Sequence, residues 1–296
     1  MLGRTERESA AHAALAAQLA GWSGVAAGSA VRSKVPDESS ELLDLGTTSE
    51  TLATVASIGD LAAVVHLGHP EQPSPALEDA MLAGDPSLIV TAAVAVPTQW
   101  VWAGPPGTSG GQVVIDEAGM RDCRSVLRAM GVSPRLVPTR TPVEERAAIA
   151  GPAGSLVIER ARVPAGWVEQ PGSARLNQGP PVWYGLLEAR DALPALDSPA
   201  QVWLAFGPYD DYRGSLQPTL GVLSDAGFDL QHLRSRPSTL GPHVFFTSFR
   251  CPDVRVLDGL VDELEGRRIA HRTLAVLPGD RFVPGPDLLA PRWAQP

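Results

Sequence analysis

The chain has 296 residues, of which 44% are hydrophobic and 19% charged, with a formal net charge of −9. That length exceeds one ordinary core and predicts two or three. The acidic balance offers no basic stripe to neutralise phosphates, which argues against a nucleic-acid partner and an anionic membrane surface, so an anionic substrate must be met by local donors. In chain order, residues 1–40 read as an N-terminal helical extension, with a helix over 5–19. Its Ala-rich start is interrupted by Glu6, Glu8, His12 and Gln18, and lacks both the apolar core of a signal peptide and the length of a membrane span. A cytoplasmic location is the expectation.

Residues 41–195 alternate strand-like runs (42–45, 62–67, 88–96, 99–103, 136–137, 156–158, 182–187) with helical stretches at 48–57, 75–83, 117–130 and 142–150, the rhythm of an α/β fold. Gly46-Thr47-Thr48-Ser49-Glu50 joins a strand to a helix start and carries T-x-x-E, a capping box. Free N–H groups, the helix dipole and the hydroxyls there suit either an ordinary cap or a carboxylate cradle. His66 and His69 flank a turn after a strand; three apart, they resemble half a metal site with no third ligand in register, and read as loop histidines. Gly104-Pro105-Pro106-Gly107-Thr108-Ser109-Gly110-Gly111 has no P-loop lysine and reads as a loop between lobes. Asp116 and Glu117 read as first-turn helix acids. Arg140, ahead of Thr141-Pro142 at a helix N-terminus, suits either bidentate binding of a carboxylate or pairing with Glu144 or Glu145. Trp100, Trp102, Trp167 and Trp183 suit a cleft or core packing. Cys123 and Cys251 stand apart with no partner at metal spacing and read as buried, reduced thiols.

From 200 to 280 the pattern is β-α-β-β-α-β. A strand at 201–206 precedes a helix with apolar Leu216, Leu220, Val222, Leu223 and Ala226, stopped by Gly227. Strands at 229–233 and 243–250 follow, then a helix with Val254, Leu257, Leu260, Val261 and Leu264, and a strand at 272–276. This is the ferredoxin-like order. Residues 281–296 read as a tail.

Gly214-Ser215-Leu216 at the helix start and Arg234-Ser235-Arg236-Pro237 at a strand end resemble the G-[AS]-L and E-S-R-P signatures of the ACT domain of prephenate dehydratases. The resemblance implies that Gly214, Ser215, Leu216, Arg234, Ser235, Arg236 and Pro237 bind an aromatic amino-acid effector, and that the chain forms a homodimer or homotetramer through this domain. Arg234 stands where the family has glutamate, which puts phenylalanine as the effector in question.

Upstream, Gly46 to Glu50 is similar to the family's G-T-F-S-E motif. That likeness implies a two-lobed periplasmic-binding-protein-like part, with Gly46, Thr48, His66 and Arg140 binding a small-molecule carboxylate and Thr47, Ser49, Thr141 and Tyr184 in the catalytic set. No cofactor is implied. Elsewhere the family motifs are eroded. The S-T-A helix start falls near Arg140-Thr141-Pro142, and T-R-F, whose threonine is the family's general acid, falls on Val182-Trp183-Tyr184. Valine cannot protonate a departing hydroxide. The expectation is therefore a lyase that decarboxylates prephenate, or a related shikimate-derived cyclohexadienyl acid, without the Thr-assisted dehydration. An ordinary dehydratase using Tyr184, Thr141, His66 or His69 as a substitute acid, a catalytically inactive aromatic amino-acid-binding regulator, and a solute-binding scaffold are the alternatives.

Overall fold

The computed structural model describes residues 11, 13–15, 17, 48–58, 61–67, 75–83, 87–108, 110–178, 181–193, 199–209, 212, 214–236 and 243–278. Its helices are α1 (Thr48–Ser57), α2 (Pro75–Leu82), α3 (Glu117–Ala129), α4 (Val143–Ala150), α5 (Leu216–Asp225) and α6 (Val254–Gly266). The strands are β1 (Ala62–His66), β2 (Ser87–Val96), β3 (Trp100–Gly104), β4 (Val113–Asp116), β5 (Arg135–Val137), β6 (Ser155–Glu159), β7 (Val168–Glu169), β8 (Val182–Arg190), β9 (Ala200–Pro208), β10 (Leu230–Arg236), β11 (Val244–Cys251) and β12 (Ile269–Pro278). In the N-terminal extension, residues 11, 13–15 and 17 are helical, with Ala11 and Leu15 buried four apart on one helix face. No helix among the described residues is long and apolar enough to cross a membrane.

The chain divides into two compact units, one of residues 1–94 and 183–296, the other the continuous segment 95–182. In the first, seven strands run in the order β1-β8-β2-β12-β9-β11-β10. The last four are the β-α-β-β-α-β strands, antiparallel and in ferredoxin-like order, and α5 and α6 cover one face of them. That core comprises Val222 and Leu223 of α5 and Leu257, Leu260 and Leu264 of α6 against Val202, Leu204, Phe206 and Phe249. Asp253 caps α6 by accepting from the amides of Arg255 and Val256. Gly227 takes φ of 76° just past α5, where a side chain would be strained.

A second core lies under α1 and α2. Leu52 and Val55 of α1 and Leu77 and Met81 of α2 pack with Ala63 and Val65 of β1, Leu88 and Val90 of β2, and Leu187 of β8. It also takes in Ala205, Phe246, Leu274 and Leu277 from the ferredoxin-like strands. The join is a parallel pairing of β2 with β12, Val90 opposite Ala275. Fully buried Glu188 of β8 is neutralised by Arg190 Nη2 at 2.9 Å and receives the Thr91 hydroxyl of β2 at 3.1 Å.

In the second unit five strands run β5-β4-β6-β3-β7, with β4 parallel to β5 and β6 and with β3 antiparallel to β6 and β7. Both faces are covered. One core holds Ile115, Val157, Trp100, and Cys123 and Leu127 of α3; the other holds Val114, Leu156, Ile158 and Ala150 of α4. Beyond β7 the 173–177 turn completes the edge of β3: Asn177 accepts from Trp100 N and donates to its carbonyl, both at 2.8 Å, and Ser173 Oγ accepts from Trp102 N at 3.0 Å. The Gly-rich 104–111 loop, expected between lobes, instead joins β3 to β4 inside this unit. Gly111 is required there because a Cβ would meet the Ala153 carbonyl oxygen at 1.8 Å.

Candidate functional site

Four places bear the residues that the sequence singles out for function. At the first, Thr48 and Ser49 are the opening residues of α1, with Glu50 in its first turn. Gly46 and Thr47 lie outside the described residues, as do the 42–45 run and His69.

The second is on the β1–β8 pair. In the antiparallel register His66 lies directly opposite Tyr184, their rings edge-on at 5.5 Å and 89°. Alternation along a strand puts Val182, two residues before Tyr184, on the same face. Trp183, between them, turns to the opposite face and packs against the α1–α2 core. Val182 and Tyr184 are both 2% exposed, so this face of β8 begins with an aliphatic side chain followed by a shielded phenol.

The third lies in the second unit, where the carboxyl ends of parallel β4 and β5 meet α3 and α4. In α/β sheets that end is where ligands bind. Asp116 ends β4 and caps α3, accepting from Gly119 N at 2.7 Å. Its other oxygen takes Arg146 Nη1 of α4 at 2.7 Å, with both side chains almost wholly buried. The remaining Arg146 donors hold the carbonyls of Thr141 at 2.7 Å and Thr139 at 2.6 Å. Arg146 therefore fixes the 139–141 turn, which bears Arg140 and Thr141 at the start of α4. Arg140 is exposed there. The α4 N-cap position is Pro142, which supplies no side-chain cap, and Glu144 and Glu145 stand in the first turn of the helix. The sequence names Asp116 as a first-turn acid and gives no signal for Arg146, which lies between Glu145 and Ala147 in α4.

The four tryptophans are packing residues or near it. Trp100 is buried, its indole donating to Asp122 at 3.1 Å; Trp102 donates to Ser155 Oγ at 2.7 Å; Trp167 and Trp183 lie against cores. A cavity of about 540 Å³ lined by Trp102, Thr108, Gln112, Ser133, Ser155 and Gln170 opens at the amino ends of β4, β5 and β6. None of its described lining residues is cationic.

The fourth place is in the ferredoxin-like strands. Gly214 takes φ of 98° ahead of α5, a conformation glycine adopts freely. Ser215 is buried and its carbonyl accepts the Thr219 hydroxyl at 2.8 Å, while Leu216 is 37% exposed. Arg234 and Arg236 share one face of β10; Ser235 faces the other way and is exposed. Both guanidiniums lie near the Phe246 ring, at 4.2 and 5.7 Å from its centroid. Pro237 lies outside the described residues.

No protein-family model and no curated protein matches the chain. Among solved structures, the prephenate dehydratase of Arthrobacter aurescens in complex with L-Phe is similar at 19% identity and a TM-score of 0.60, over 80% of this chain and 81% of that one. The prephenate dehydratase of Staphylococcus aureus subsp. aureus Mu50 is similar at 11% identity and 0.56, over 81% and 92%. A quorum-quenching acylase, GqqA, is similar at 17% identity and 0.58, over 83% and 92%. Two lobes of α/β type and ferredoxin-like strands of ACT order, matched over four-fifths of the chain, give this protein the fold of a divergent prephenate dehydratase-like protein.

Proposed function

We propose that the chain is a lyase acting on prephenate or a related shikimate-derived cyclohexadienyl acid, and that it removes carbon dioxide while leaving the ring hydroxyl in place. The observation that carries this reading is Val182, the first residue of β8 and 2% exposed, standing where the family's T-R-F has its acid. In the dehydratase reaction the ring carboxylate leaves as carbon dioxide and the opposite hydroxyl leaves as water, so the electron pair of the broken carbon–carbon bond expels a protonated oxygen. Without a proton at that oxygen the pair enters the ring diene instead and is quenched by a proton at a ring carbon. The hydroxyl stays and the ring does not aromatise. In this scheme Gly46, Thr48, His66 and Arg140 are substrate-binding residues, and Thr47, Ser49, Thr141 and Tyr184 make up the catalytic set. Tyr184 stands edge-on to His66, and Thr141 is held in place through its carbonyl by Arg146.

Gly214 to Leu216 and Arg234 to Pro237 serve as an aromatic amino-acid effector site, and the chain assembles as a homodimer or homotetramer in the cytoplasm. Two features support this: β10 ends the seven-stranded sheet, and Leu233 on it is 43% exposed, an edge suited to pairing. The fold likeness to an acylase adds no residue-level argument for acyl cleavage. Incubation of the purified protein with prephenate, followed by ultraviolet absorbance and mass spectrometry, tests the reading. A decarboxylated, non-aromatic product is expected; phenylpyruvate, or unchanged prephenate, overturns it.

A further inference from the structure

Two arginines at alternate positions of one strand place like charges side by side, and an environment that shields them from water makes this costly unless anions are supplied. Arg234 and Arg236 are in that position, each side chain only 29% exposed. Burial first, and then the neighbouring Arg236, pull the Arg234 guanidinium below its ordinary value. The anions come from α2. Glu78, 14% exposed, pairs with Arg234 and lies 3.8 Å from Arg236, while Asp79 Oδ1 is 2.5 Å from Arg236 Nη2. The other end of the same helix is also tied to the ferredoxin-like strands, since Arg272 Nη1 of β12 donates to the Met81 carbonyl at 3.1 Å. A cation there complements the carbonyl end of the helix.

We propose that Arg234 and Arg236 form a carboxylate receptor whose resident occupant is the Glu78–Asp79 pair of α2, so that a free aromatic amino acid binds only by displacing that helix. The proposal rests on the effector reading above and adds its competitor. An effector carboxylate offers the guanidiniums the same bidentate chemistry as Glu78. When it binds, α2 loses the ties at its first turn. Leu77 and Met81 of α2 share a core with Leu52 and Val55 of α1, whose first turn bears Thr48 and Ser49. Displacement of α2 therefore reaches the helix that opens at the candidate substrate cradle, and effector and substrate oppose each other through it.

The test is calorimetric titration of L-phenylalanine into the full chain, the Glu78→Gln/Asp79→Asn variant and the Arg234→Gln/Arg236→Gln variant, each first shown to be folded by circular dichroism. Neutralising the acids is expected to tighten binding by about tenfold or more, and neutralising the arginines to abolish it. Equal affinity in the native chain and the acid variant overturns the proposal, as does the absence of binding in both. Hydrogen exchange gives a second readout: ligand should speed exchange of the 76–83 amides in the native chain, and the acid variant should exchange fast without it. Unchanged protection of these amides in both states overturns the competition. Turnover of prephenate by the same samples is read separately, so tight binding with no turnover sinks the lyase reading and supports the receptor.

Discussion

At residue 182 an aliphatic side chain fills a buried position at the head of β8, and the product of the reaction is expected to depend on it. Val182→Thr restores a hydroxyl there at nearly constant volume. Burying that hydroxyl is expected to cost about 1–3 kcal/mol, read as a lower urea midpoint, and to divert product towards phenylpyruvate. A folded Val182→Thr variant with an unchanged product ratio would remove Val182 from the argument. Cys251 gives a second expectation at this scale. Its thiol is wholly buried and pushed up from the ordinary value, chiefly by burial, and by the nearby Asp253 and Asp258 charges against the opposing bonds to Asp253 and Leu257. The folded state thus holds this proton more tightly than the unfolded one. The stabilisation is complete below the free thiol's pKa and is lost as pH rises through the raised value. Alkylation of Cys251 at mildly alkaline pH, followed by peptide mass spectrometry, should be slow until denaturant is added; rapid labelling of the native protein would contradict it.

Among elements, α4 depends on one buried ion pair. Arg146→Ala strands the Asp116 carboxylate without its partner and is expected to destabilise the second unit by about 3–5 kcal/mol. Arg146→Met combined with Asp116→Asn removes both charges while keeping a capping side chain for α3, and should cost less than Arg146→Ala alone. Equal urea midpoints for the two variants would show that packing, and not charge, sets the cost. This pair also marks where the sequence stops being readable. The helices α5 and α6 and the strands β9 to β12 declare themselves through apolar spacing, and so do β1, β2, β6 and β8. The two-residue β7 has no period to detect, and the turn that completes the β3 edge works through Ser173 and Asn177, whose partners are backbone atoms 71 and 77 residues away. Arg146 finds Asp116 30 residues earlier, and Arg236 finds Asp79 157 residues earlier. Ordinary-looking surface charges become structural only through such distant pairings. The helix starts at Thr48 and Leu216 are legible because such starts are local; the partners of Arg234 and Arg236 are not.

For the whole molecule, two units with separate cores mean that damage in one need not propagate to the other. The second unit is a single continuous segment with helices on both faces of its sheet. The first is assembled from segments far apart in the chain, and its α1–α2 core draws on β11 and β12 as well as β1 and β2. The pairing of Val90 with Ala275 has a consequence for dissection of the protein. Severing the chain before residue 200 would bare the flank of β2, leaving amides and carbonyls ready to recruit a neighbouring molecule, along with apolar surface that Phe246, Leu274 and Leu277 had covered. A fragment ending there should form large particles in light scattering at concentrations where the intact protein does not, and a monodisperse fragment would mean that the terminal third is an appendage rather than a wall of the building.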